Sequence, residues 1–332
     1  MRRISLIALV VVAALAALAA CGGSEPGAGG TLGLVAYSTP KAVYEDLIPR
    51  FQATPAGQGV ELEQSYGSSG EQSRAVEAGL PADVVALALE PDVTRLIESG
   101  LVAPDWNAGP TRGMVSTSVV VFAVREGNPK DIETWDDLLR DDVEVVTPNP
   151  FTSGGAQWNL LAAYGAQLEL GRTEEEAIEF LRRLLANVAV QDKSARESLQ
   201  TFSGGKGDVL LAYENEAIFA QEKGEELDYV VPDQTILIEN PIAVVATSEN
   251  TAVAQAFVDF ALSPAGQRVF GEKGYRPVDA TVLAEFDFPQ PPGLFGIADL
   301  GGWADARERF FDRGDGIVAR INEELGVGTS AS

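Results

Sequence analysis

From Thr31 onward, short apolar runs alternate with longer stretches in which apolar and charged positions recur with helical spacing, beginning with "LGLVAY" and then "PKAVYEDLIPRFQ". The order repeats as "GVELEQ" with "EQSRAVEAGL", "ADVVALAL" with "PDVTRLIESG", and "VEVV" with "AQWNLLAAYGA". It continues as "VAVQ" with "ARESLQTFSGG" and "DVLLAY" with "NEAIFAQEKG". Strand-then-helix alternation of this kind predicts an α/β fold with a mainly parallel sheet covered by helices. Two long strand-like segments interrupt it, "STSVVVFAV" at Ser116–Val124 and "TILIENPIAVVAT" at Thr235–Thr247. They read as two crossings between lobes. After "SPAGQRVF" the chain turns helical again through "ADARERFFDRGDGIVARINEEL", a terminal segment expected to complete the first lobe.

The N-terminal pattern is different. "MRRISLIALVVVAALAALAA" has a basic start and an apolar run ending in small residues, so residues 1–20 read as an export signal and the mature chain is expected to work outside the cytoplasm. Cys21 follows directly in "LAAC", which resembles the lipobox of bacterial lipoproteins and implies a lipidated cysteine that anchors the chain to a membrane. "GGSEPGAGG" is Gly-rich with no apolar face, so residues 21–31 read as the lipidated cysteine and a flexible tether.

Composition narrows the chemistry. A chain of 332 residues, with 24 Lys and Arg against 49 Asp and Glu and a net charge of −25, is large enough for two domains and repels nucleic acid. With no histidine and one cysteine there is no Ser-His-Asp triad, no Cys-His pair, no His-based metal site and no intramolecular disulfide. No cofactor or metal is expected.

The chemistry that remains sits where strands hand over to helices. "SYGSSGEQS" places Ser69 three residues before Gln72, and "QDKSARESLQ" places Ser194 three before Glu197, both with capping-box spacing. "AYSTPK" offers Ser38 or Thr39 as a cap ahead of Pro40. The fourth case, "NPFTSGGAQWN", adds Gly154 and Gly155, which allow close backbone approach to a ligand and leave amides pointing outward. A helix start carries unpaired N–H donors and the positive end of the macrodipole, and serine hydroxyls add neutral donors. Each serine taken singly is also a good cap. Together the four starts indicate an anionic or phosphate-bearing ligand and do not name it.

These stretches also carry a family resemblance. "TPNPFTSGGAQWNLLAAYGA" is similar to the NPKTSGGARWN signature of periplasmic sulfate-binding proteins. "SYGSSGEQS", "ADVVALALEPDV", "REGNPKDIETWDDL" and "GDVLLAYENEA" resemble further blocks of that family in the same order, from about Val35 to Arg320. "AYSTPKAVY" and the lipobox resemble its actinobacterial lipoprotein branch. The resemblance implies a two-lobe periplasmic-binding-protein-like (type II) α/β fold with the ligand buried between lobes. The two crossings then give lobe 1 as residues 32–117 plus 246–332 and lobe 2 as 118–245.

It further implies a monomeric binding protein that delivers sulfate to an ABC permease driven by a separate ATPase. Carried across, the family's site gives the Ser38 amide, the Ser69 hydroxyl, the central loop Ser153, Gly154 and Gly155, the Ala195 amide, and Tyr213 in place of a tryptophan indole donor. Two departures remove positive charge: Phe151 stands where the signature has lysine and Gln157 where it has arginine. The alternatives within this class are thiosulfate, molybdate or another tetrahedral oxyanion.

A secreted phosphate- or sulfate-ester hydrolase is the reading from a different class, and the lack of histidine disfavours it. "STPK" lacks the partner motifs of a β-lactamase, and "GGKGD" lacks the Lys-Ser/Thr ending of a P-loop. Glu214 with Glu216, and Asp136 with Asp137, read as solvated helix faces. Trp106, Trp135, Trp158 and Trp303 share no spacing and read as packing residues.

Overall fold

The computed structural model describes residues 30–327. The signal segment and Cys21 lie outside the described residues. The fold begins with β1 (Thr31–Tyr37), α1 (Lys41–Gln52), β2 (Glu61–Gly67), α2 (Ser69–Glu77), β3 (Val84–Ala86) and α3 (Glu90–Glu98). The three strands are parallel in the order β2-β1-β3. Their helices bury an apolar face that includes Tyr44, Leu47 and Phe51 of α1. β1 starts at Thr31, so the chain is already strand at the last residue of the expected tether.

β4 (Met114–Arg125) leaves this lobe. There follow β5 (Val145–Pro148), α4 (Gly154–Glu169), α5 (Glu174–Ala186), β6 (Val188–Asp192), α6 (Ala195–Ser203), β7 (Val209–Tyr213), α7 (Glu214–Glu222) and β8 (Leu227–Val230). β9 (Gln234–Val244) then returns. The sequence logic is plain in α5: Thr173 and Glu176 form a capping box, and Ala177, Phe180, Leu181, Leu184 and Leu185 fall on one buried stripe.

β4 and β9 are the two crossings, and they pair with each other antiparallel from Ser116 opposite Asn240 to Val119 opposite Leu237. Beyond that ladder they diverge. β9 joins β3 with Ala86 opposite Ile242, while β4 joins β7 with Val120 opposite Tyr213. One continuous sheet path, β2-β1-β3-β9-β4-β7-β5-β6, therefore runs through both lobes.

α8 (Thr251–Leu262) and α9 (Pro264–Glu272) pack back on the first lobe through Phe257, Val269 and Phe270. β10 (Arg276–Pro277), α10 (Ala280–Leu283), β11 (Gly293–Phe295), α11 (Gly302–Ala306) and α12 (Ile317–Glu324) complete the chain. Here the expected assignment of 246–332 to lobe 1 needs correction. From Gly293 on, the segment packs chiefly on the second lobe: Phe295, Trp303, Phe310, Val318 and Ile321 share one core with α4 and α5. Trp303 meets Trp158 edge to face at 4.6 Å, and Arg309 pairs with Glu174 at 2.7 Å. The physical reason is space: α4 is buried almost all round, and the terminal segment covers the face that the sheet does not.

Candidate anion-binding site

Every strand that ends between the lobes contributes to one small cavity. Its lining is Tyr37, Ser38 and Thr39 after β1, Gly67, Ser68 and Ser69 after β2, Ala88 after β3, Ser153, Gly154 and Gly155 after β5, Ser194 and Ala195 after β6, and Tyr213 at the end of β7. All of the predicted residues, Ser38, Ser69, Ser153, Gly154, Gly155, Ala195 and Tyr213, are brought together. Among the described residues, no charged side chain lines it. It leaves about 10 Å³ for the centre of a water-sized sphere, the scale of one small molecule or ion.

Three helices aim their N-termini here. Ser69, Gly154 with Gly155, and Ala195 are the opening residues of α2, α4 and α6, so their amides are helix-start donors without an intrahelical acceptor. Ser153 is the N-cap of α4 in extended conformation, yet its hydroxyl makes no capping bond and is left for another acceptor. Ser194 does cap, accepting the Glu197 amide at 3.2 Å, as its spacing predicts.

Two hydroxyls behave differently from expectation. Ser69 is the first helical residue, with Ser68 as N-cap. Its Oγ donates to Asp92 at 2.5 Å and accepts the Ala88 amide at 2.9 Å. That corrects its role as a hydroxyl donor to ligand, because its one proton is engaged elsewhere. What Ser69 offers the cavity is its amide. At α1 the N-cap is Pro40, with no side-chain bond, and the Thr39 hydroxyl pairs with that of Tyr275 at 2.8 Å.

The sequence reading missed Tyr37 and Ser68. Their hydroxyls, with that of Tyr213, are buried and have no hydrogen-bond partner within normal geometry. Burial pushes the Tyr213 hydroxyl far above its ordinary range, with Tyr37 adding to the effect and Asn240 opposing it. Burial likewise raises Tyr37, against the neighbouring Thr39 and Tyr275. Both phenols therefore remain protonated donors. The signal that could have found Tyr37 is a hydroxyl-bearing aromatic ending an apolar strand beside Ser38.

Contacts across the cleft hold the lobes together. Trp158 Nε1 donates to the Ala88 carbonyl at 2.9 Å, and Asn240 Nδ2 reaches the same oxygen at 3.1 Å. Arg196 bridges the Thr39 carbonyl at 3.1 Å and the Glu216 carboxylate at 2.9 Å; Glu216 and Glu214 are both buried and ion-paired, which corrects their reading as a solvated helix face. Burial pushes Glu216 above the usual carboxylate range, only partly offset by Arg196. A Cβ on Gly154 would fall 2.5 Å from Leu89 Cδ2 and 3.1 Å from Ala88 Cβ, so glycine is what lets α4 approach β3. The lobes are closed.

Phe151 and Gln157 do not line this cavity. Gln157 Nε2 donates to the Pro150 carbonyl at 3.0 Å, and Arg313 lies over the Phe151 ring while donating to its carbonyl. Positive charge absent from these two positions is supplied alongside them by the terminal segment.

Such an arrangement can hold a small, fully ionised oxyanion by amides, hydroxyls and helix dipoles in a site without counter-charge. Neither Asp92 nor Glu216 is part of the lining, and the Ala88 carbonyl already has two donors. Among the described residues, no carboxylate lines the cavity to accept a proton from a ligand.

Comparison with known proteins agrees with this geometry. Residues 32–276 match the family described as bacterial extracellular solute-binding protein. The sulfate-binding protein of Synechococcus elongatus is 45% identical over 90% of this chain and 89% of its own. The solved structure of the sulfate-binding protein SubI from Mycobacterium tuberculosis superposes with a TM-score of 0.83 at 46% identity, covering 85% of this chain and 99% of SubI. The thiosulfate-binding protein of Pseudomonas aeruginosa is 35% identical over 86% of this chain and 90% of its own.

Proposed function

The chain belongs to the bacterial extracellular solute-binding protein family, and on that premise we propose that it binds sulfate between its lobes and delivers it to an ABC importer. The observation that carries this reading is the uncharged, donor-lined cavity at the junction of three helix starts. Sulfate is fully ionised near neutral pH and needs only donors. Phosphate still carries a proton there and needs an acceptor.

The residues of the site are the amides of Ser38, Ser69, Gly154, Gly155 and Ala195, with the Ser153 and Tyr213 hydroxyls. The partner is a permease whose ATPase is a separate subunit. Export and lipidation at Cys21 would hold the binding protein, as a monomer, on the outer face of the cytoplasmic membrane. Binding rather than turnover is the role, in keeping with a chain that has no histidine.

Calorimetric titration at neutral pH tests this. One tightly bound sulfate per chain, not displaced by phosphate, is the expected result. Thiosulfate binding more tightly than sulfate would move the assignment to thiosulfate, and equal competition by phosphate would refute the donor-only site.

A further inference from the structure

A second cavity, of about 310 Å³, adjoins the first through Gly154, which lines both. Its wall carries four arginines: Arg74 on α2, Arg95 on α3, and Arg307 and Arg313 from the terminal segment. Phe151, Thr152 and Gln157 of the second lobe close the other side. In a chain of net charge −25, this is a local concentration of positive charge.

The counter-charge within it is small. Asp92 is the one carboxylate in the lining; its oxygen holds the Ser69 hydroxyl, and it faces Arg307, Arg95 and Arg74 together. Arg95 has Glu77 at 3.6 Å, while its buried Nε has no hydrogen-bond partner. Among the described residues, neither Arg74 nor Arg307 has a carboxylate at ion-pair distance. Guanidinium groups converging on one space repel each other, and their planar forks match the oxygens of a divalent oxyanion.

We propose that this four-arginine cavity is a second oxyanion site, which binds a small divalent anion by ion pairing and not by amide donors. Its selectivity differs from that of the first. Cationic walls need no discrimination against a protonated ligand, so inorganic phosphate is accepted here although the inner cavity excludes it. Because the walls come from both lobes, an anion held here also favours the closed arrangement.

The test uses the full chain, loaded with one equivalent of sulfate and then equilibrated with radiolabelled inorganic phosphate at low ionic strength. One phosphate per chain should bind without displacing sulfate, and its affinity should fall by about tenfold or more at high salt. The double variant Arg74→Gln, Arg307→Gln should lose about tenfold or more in phosphate affinity. Should that variant not fold, Arg307→Gln alone, at an exposed position, must weaken phosphate binding, and Arg307→Lys must restore part of it.

Absence of phosphate binding to the sulfate-loaded chain, or binding indifferent to these substitutions, overturns the proposal. If sulfate does not bind but phosphate does and is lost in the variants, the sulfate assignment falls and the second site stands.

Discussion

Trp158 on α4 donates its indole N–H to the main-chain carbonyl of Ala88, beyond β3, at 2.9 Å. The bond spans the two lobes, and it is buried. Trp158→Phe removes this donor while keeping an aromatic ring against Trp303. Such a hydrogen bond is worth about 0.5–1.5 kcal/mol net, so sulfate affinity should fall roughly three- to tenfold. Titration calorimetry with the two proteins side by side reads the difference; unchanged affinity would mean that the bond does not help hold the lobes closed.

The two loop glycines should respond unequally to a methyl group. At Gly154 the added carbon meets Leu89 and Ala88, both buried and unable to withdraw, so Gly154→Ala should prop the lobes apart and reduce sulfate affinity by about a hundredfold, roughly 2.7 kcal/mol. At Gly155 the nearest atoms are 3.4 Å away or more, which is nearly ordinary contact. Gly155→Ala should therefore lose far less. Equal losses would place the constraint in backbone freedom and not in close approach.

Ser153 sits at a helix start with its hydroxyl uncommitted. Ser153→Ala should weaken sulfate binding by about ten- to a hundredfold, the loss of one hydrogen bond to a charged group. Ser153→Asp should abolish binding, because a carboxylate beside a dianion in a dry cleft adds like-charge repulsion. Retained affinity in the aspartate variant would put the ligand elsewhere.

Glu216 gives the stability a pH dependence of known sign. Its folded-state pKa lies above the ordinary 4.5, chiefly through burial. The folded chain therefore holds this proton at pH values where the unfolded chain has released it. The resulting stabilisation is fully present below 4.5 and is lost as pH rises through the folded value. Native protein should lose melting temperature relative to Glu216→Gln as pH rises across that window. Parallel Tm curves for the two proteins would show that Glu216 does not titrate in this way.

Local patterns carried much of the architecture. Strand-to-helix order, the start of β1 and the Ser-Gly-Gly loop are short-range signals, and each states its own geometry. Partners distant in sequence are different. Nothing around Ser69 reveals that Asp92 will accept its hydrogen bond, and nothing near Thr39 points to the Tyr275 hydroxyl. The terminal segment illustrates the same limit on a larger scale. Its amphipathic helices show which face must be buried but not against what, and the answer lies in Phe295 seated on Gly165, where a Cβ would come within 2.2 Å of the ring, and Trp303 against Trp158. The residues that the family resemblance named lie in several separate loops, and the structure brings them to one inner cavity. The resemblance assigned no role to Tyr37, although the stretch "AYSTPKAVY" contains it, or to the arginines, which arise from elements with no shared pattern.

The antiparallel ladder between β4 and β9 ties two of the three crossings between the lobes into one ribbon, the third being the stretch between β10 and β11 that carries the terminal segment onto the second lobe. A two-stranded ribbon bends and twists about its own length but resists sliding of one strand past the other, since that would break each rung in turn. The ladder thereby favours opening by bending over opening by sliding. Bending about that ribbon parts the cleft most at the edge far from the ladder, while the third crossing must flex with it.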